Sequence, residues 1–143
     1  MGDVTKIFLT SGLTIIGGVL IYVFGQIVIR FFVDPYQHYR QIVAEIADAL
    51  VYYGNISGGS NRQRQDEASN AFRQKASLLR VKAYGIPYYN KFAKWRWVPP
   101  WSSIMEASSA LIDLSNEVYK HDHEAIGQRR DAIIRNLKLP PLR

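Results

Sequence analysis

The chain has 143 residues, no cysteine and a formal net charge of +6. The length suits one domain of ordinary size, and the missing thiols exclude disulfides, thiol catalysis and thiolate metal sites together. The positive excess favours anionic partners such as acidic lipid, nucleic acid or an acidic protein face, without choosing among them.

That average conceals two unlike parts. Residues 7 to 29, "IFLTSGLTIIGGVLIYVFGQIVI", carry no charge, whereas residues 34 to 143 hold 16 of the 18 Lys and Arg and 11 of the 12 Asp and Glu. A bilayer hydrocarbon layer of roughly 30 Å needs about 20 apolar residues as helix, so this run is long enough to cross with modest tilt. Of its 23 positions 14 are Ile, Leu, Val or Phe. Near a bilayer centre these sum to about −4 to −8 kcal/mol of insertion free energy, partly offset by Thr, Ser, Gly and Gln26. A cleaved signal peptide has an apolar core of about 7 to 15 residues ending at small residues, and this run matches neither feature. A soluble core helix that is apolar all round needs protein on every side, more than the remaining residues supply. Residues 1 to 33 are therefore expected to form a transmembrane anchor, and residues 34 to 143 a separate basic domain.

Along the span, Thr10, Thr14 and Gly18 recur four apart and Gly25 lies two turns beyond Gly18, which lays small residues along roughly one stripe. Such a stripe lets a second helix approach closely, either a partner subunit or another copy of the chain. Glycine is also simply common in membrane helices. Lys6 flanks one end of the span, and Arg30, Arg40 and the basic domain follow the other. That bias favours a short external N-terminus and a cytoplasmic domain. Asn55-Ile56-Ser57 matches a glycosylation acceptor, which matters only in a eukaryotic lumenal setting.

Asp34 and Pro35 read as an N-cap and first helical position, so the chain is expected to leave the bilayer through a break and start a new helix. Tyr36, Tyr39, Val43, Ile46, Leu50 and Tyr53 mark one face of that helix, closed by Gly54-Asn55. "NISGGSNRQ" has loop composition. Ala68, Phe72, Ala76, Leu79 and Ala83 then form a narrow stripe opposite Arg, Gln and Lys, and Gly85 with Pro87 supplies the stop. Further on, Ser103-x-x-Glu106 reads as a capping box before Ile104, Ala107, Leu111, Leu114 and Val118. Asp122 can cap a last helix with Ile126, Ile133, Ile134 and Leu137 inward and Arg129, Arg130 and Arg135 outward. No strand alternation and no repeat is visible. The expected fold is all-α: one N-terminal transmembrane helix plus a three- to four-helix bundle.

Between the second and third bundle helices lies "YYNKFAKWRWVPPW", residues 88 to 101, with six aromatic rings, three positive charges, no acid and every tryptophan of the chain. Trp and Tyr favour the headgroup layer, where ring and polar tip are both accommodated, and neighbouring Lys and Arg meet lipid phosphates. If Pro87 opens a short helix, Tyr88, Phe92 and Trp95 share one face with Lys91, Lys94 and Arg96 beside it, the plan of an interfacial helix. Tyr88, Tyr89, Lys91, Phe92, Lys94, Trp95, Arg96, Trp97 and Trp101 are the expected membrane-interface residues of an interfacial segment spanning 87 to 101. Pro99-Pro100 then turns the chain back to the bundle. Three competing readings are a cap over the bundle core, single-stranded nucleic-acid binding, and docking onto another membrane protein at the same depth. Nucleic acid is the weaker of these, because the nearby span accounts for the rings more simply.

"HDHE", residues 121 to 124, gathers two imidazoles and two carboxylates, but His121 and His123 are two apart and point to different sides of a helix, and Asp122 is explained as a cap. His38 reads as a solvated or interfacial residue. Serines occur in helical contexts without an elbow turn or histidine partner. Glu45, Asp48, Glu106, Asp113 and Glu117 suit exposed faces. No catalytic residue, metal or cofactor is expected.

The strings "VFGQIVIRFFVDP", "EIADALVYY", "EASNAFRQKASLLRVKAYGIPYY" and "EASSALIDLSN" together resemble a set of uncharacterised bacterial single-pass inner-membrane proteins with a helical cytoplasmic domain, over most of the chain. The resemblance implies a bacterial inner-membrane location and brings no activity, cofactor or functional residue with it. The expected work is contact, not catalysis: an accessory, assembly or stabilising subunit of a larger membrane complex, with membrane lipids and integral membrane subunits or a homo-oligomer as partners. The alternative is a membrane-tethered module that recruits a soluble acidic protein or nucleic acid.

Overall fold

The computed structural model describes residues 2–54, 56, 61–120 and 122–140, and among them every regular element is helical. The described residues divide into two compact units, residues 1 to 34 and residues 35 to 143.

The first unit is built on α1 (Gly2–Val28), none of whose residues is buried by the chain itself. It is long and apolar enough to cross a membrane. Its polar side chains make little demand on their surroundings, because the Thr10 hydroxyl donates to the Lys6 carbonyl at 2.8 Å and the Thr14 hydroxyl to the Thr10 carbonyl at 2.9 Å. These i−4 bonds satisfy both hydroxyls within the helix. The glycines of the small-residue stripe, Gly18 and Gly25, have open space where a side chain would stand.

The expected break at Asp34 is absent. A π-helical segment, Ile29–Val33, follows α1 directly, and Asp34 sits in ordinary helical geometry with its N–H on the Ile29 carbonyl. Pro35 explains the change of register: proline removes an N–H and crowds the carbonyl four residues earlier, and a π-turn upstream accommodates that without ending the helix. Asp34 therefore opens α2 (Asp34–Tyr52) without acting as an N-cap.

The second unit comprises α2, α3 (Arg62–Tyr84), the short α4 (Tyr89–Lys94), α5 (Trp101–Glu117) and α6 (His123–Leu137). The face expected for α2 turns inward, with Tyr39, Ile46 and Leu50 buried and Ile42 and Ala49 added to it. All five residues of the α3 stripe are buried, as are Ile104, Ala107, Leu111 and Leu114 on α5, Val118 at its C-cap, and Ile133 and Leu137 on α6. Asn61 caps α3, accepting from the Gln63 N–H, and Asp122 caps α6, accepting from the Ala125 N–H. The Ser103-Glu106 capping box does not form: α5 begins two residues earlier, at Trp101, with Pro100 as an N-cap that makes no side-chain hydrogen bond. The fixed backbone of proline prepares the helix start without a side-chain cap.

Helices α3 and α5 run antiparallel through an interface of small residues. The Arg80 Nε donates to the Ser108 Oγ at 2.6 Å, and one heptad away the Arg73 Nε donates to the Ser115 Oγ at 3.1 Å. As the α3 number falls by seven the α5 number rises by seven, so two like rungs fix both direction and register. Each serine also donates to a carbonyl, Ser108 to Ala76 across the interface and Ser115 to Ile112 within α5. Both serines are fully buried, and no buried side-chain nitrogen or oxygen among the described residues lacks a partner. Ion pairs tie the outer edges, Lys75 to Glu45 at 3.1 Å between α3 and α2 and Arg129 to Asp113 at 3.2 Å between α6 and α5. At the end of α2, Gly54 leaves no room for a side chain: a Cβ would stand 2.9 Å from the Leu50 carbonyl oxygen.

Candidate membrane-facing site

The aromatic segment folds as one turn of helix and a tight return. Its N-cap is Tyr88, in the left-handed region at φ 54°, so the helix opens at Tyr89, two residues after the Pro87 expected to open it. The Lys91 N–H then returns to the Tyr88 carbonyl, and the Trp97 N–H to the Phe92 carbonyl at 3.1 Å. Arg96 occupies the left-handed region at φ 64°, which lets the chain double back. Non-glycine residues reach that conformation at a cost, so the surrounding contacts must impose it.

Those contacts come from Phe92. Its ring is 6 % exposed and lies 5.6 Å from Trp97 and 6.2 Å from Trp95, centroid to centroid. Phe92 therefore belongs to the domain core and does not share an outward face with Tyr88 and Trp95, as the i,i+4,i+7 spacing suggested. A six-residue helix cannot present all three outward when one of its residues must close the core. Val98 and Ile86 are likewise buried beneath the segment.

Three of the other rings point out. Trp95 is 63 % exposed, Trp97 60 % and Tyr88 66 %, and Lys91, Lys94 and Arg96 are exposed around them. Lys91 holds its ammonium 5.1 Å from the Tyr88 ring centroid. Trp101 and Tyr89 form a second group at 5.5 Å, edge to face, with Tyr84 beyond at 6.5 Å. Tyr89 donates its hydroxyl to the Pro99 carbonyl at 2.6 Å, and burial pushes its phenol up to about 12. Among the nine residues that the sequence marked here, the structure thus exposes seven, leaves Tyr89 half-buried and places Phe92 in the core.

Position within the domain completes the site. Trp97 lies 6.3 Å from the ring of Tyr36, in the first turn of α2. The exposed tryptophans therefore gather at the end of the domain where the chain arrives from the apolar run, seven residues after Ile29.

The remaining polar candidates are dispersed. Asp122 is engaged as a cap and His123 is exposed, while His121 and the Asn55 and Ser57 of the glycosylation match lie outside the described residues. Glu45 and Asp113 are held in the ion pairs above, and the Lys75 hydrogen bond keeps the Glu45 carboxyl below its ordinary range. No group of three or more His, Cys, Asp or Glu that could hold a metal exists among the described residues. The Arg73–Ser115 and Arg80–Ser108 rungs escaped the sequence reading; the shared seven-residue spacing of the two pairs was the signal that could have found them. No protein-family model, curated protein or solved structure matches the chain.

Proposed function

We propose that the chain is a single-pass membrane protein of the bacterial inner membrane, anchored by α1, whose cytoplasmic helical domain rests on the bilayer through Tyr88, Lys91, Lys94, Trp95, Arg96, Trp97 and Trp101. Its work is non-catalytic: an accessory, assembly or stabilising subunit of a larger membrane complex. The observation that carries this reading is the distribution of apolar surface. An unburied apolar helix and a pair of tryptophans more than half exposed are large apolar surfaces left uncovered among the described residues. Water penalises such surface by roughly 25 cal/mol per Å², so lipid or a partner covers it. The rings and cations match the headgroup layer, each cation contributing about 1 kcal/mol near an anionic leaflet. Within the span, the Thr10, Thr14, Gly18 and Gly25 stripe offers a close-packing face to another helix.

Extraction in mild detergent followed by native electrophoresis tests the subunit role. A stable integral partner, or a defined homo-oligomer, travelling with the chain supports it. A chain that migrates alone, or that releases a soluble partner when salt is raised, argues against it and for the recruiting module.

A further inference from the structure

Beside Trp97 the domain has a cleft of about 480 Å³ between α2, the return of the aromatic segment and the C-terminal end of α6. Three cations line it, Arg40, Arg96 and Lys138, and no carboxylate of a described residue does. None of the three side chains makes an ion pair or side-chain hydrogen bond with another described residue. Like charges left unneutralised around one concavity repel, and an anion placed among them relieves that repulsion. The wall between them is apolar, formed by Val43, Ala47, Val98 and Leu139. The backbone at two of these positions turns sharply, with Arg96 and Lys138 at φ 64° and 53°. Lys138 is the left-handed cap that ends α6, and Arg96 lies in the return that follows α4. These turns deliver two of the three cations to one cleft.

From this arrangement we infer that the cleft binds one anionic phospholipid, its phosphate among Arg40, Arg96 and Lys138 and the upper part of an acyl chain along the apolar wall. An inorganic anion would leave that wall unused, and a zwitterionic lipid would bring its own ammonium against the three cations. The volume lies in the usual range for a small-molecule site. Trp97 and Tyr36 set the cleft at the end of the domain proposed above to face the bilayer, and on that reading the inference rests. It turns a diffuse attraction for acidic membrane into selection of one lipid class.

The test uses the full chain in a non-ionic detergent, so that it does not depend on a bilayer. Quenching of tryptophan fluorescence is followed as phosphatidylglycerol carrying brominated acyl chains is added. Saturable quenching is expected, with only weak, non-saturating quenching from brominated phosphatidylcholine at the same concentrations and no displacement by inorganic phosphate. Replacing all three cations (R40Q, R96Q, K138Q) should weaken binding about 100-fold. The pair R62Q and R64Q, exposed in the first turn of α3 and outside the cleft, should leave it within about twofold of the unchanged chain, since distant charges are largely screened. Ala44→Trp keeps every cation and fills the cleft from its α2 wall, and should also abolish saturation. Unchanged binding by the triple variant or by A44W overturns the site, as does equal loss in the Arg62 and Arg64 pair. Equal binding of phosphatidylcholine, or displacement by phosphate, overturns the choice of ligand. Failure of the membrane anchor itself would show separately, as a chain that remains soluble without detergent.

Discussion

At the scale of single residues, polar groups set the register that apolar packing leaves loose. Small residues on α3 and α5 would tolerate sliding, but the Arg80–Ser108 and Arg73–Ser115 bonds are satisfied together in one register only. A charge-assisted bond to a buried hydroxyl carries about 1.5–3 kcal/mol. Ser108→Ala is therefore expected to lower unfolding free energy by about 2 kcal/mol in urea titrations, and a cycle with Arg80→Ala should show strong non-additivity. Additive losses would mean that the rung contributes nothing as a pair. Alkaline pH probes a different residue. The Tyr89 phenol ionises near 12 in the folded chain because it is buried, against about 10 when unfolded. Between those values the unfolded state binds fewer protons, so stability is intact below about pH 10 and declines as pH rises towards 12. Tyr89→Phe should flatten that decline, measured as the difference in urea midpoints at about pH 9 and pH 11. Glu45 acts in the opposite sense: its lowered carboxyl contributes stability that is present above the ordinary carboxylate range and lost as pH falls through the depressed value.

At the scale of elements, the aromatic segment divides its labour between inside and outside. Phe92 closes the core, while Trp95 and Trp97 stand over it with most of their surface free. Phe92→Ala should cost about 3–5 kcal/mol, whereas Trp95→Ala and Trp97→Ala should each stay within about 1 kcal/mol of the parent. The tryptophan variants should instead weaken lipid contact. Large destabilisation by both would assign the rings to the core and remove the membrane-facing role. How far such features were readable follows from the physics of each. The inward stripes of α3 and α5 are legible residue by residue, because helical periodicity and burial are the same constraint written twice. The start of α5 is not: Ser103 and Glu106 have the right spacing for a cap, but Pro100 already fixes the backbone at an earlier position. The π-helical segment at Ile29–Val33 is equally hidden, since a proline after an apolar run signals a break as readily as a change of helical register. The inward turn of Phe92 depends on a return loop whose left-handed Arg96 carries no glycine to announce it.

At the scale of the whole chain, an apolar helix with no buried residue and a basic helical domain have different solvent requirements, which the proposed anchorage in a membrane meets together. All three tryptophans lie in the segment at issue, so intrinsic fluorescence reports it without labels. In reconstituted vesicles, lipids brominated close to the headgroup should quench more strongly than lipids brominated at the acyl ends; the reverse order, or no quenching, contradicts an interfacial position. Beneath that lies the anchor, and its test is direct. Membranes from bacteria producing the full chain are washed in alkaline carbonate and sedimented without detergent. Anchorage by α1 predicts that the chain stays in the pellet and leaves it only when detergent is added, whereas recovery in the supernatant would contradict the account at its root.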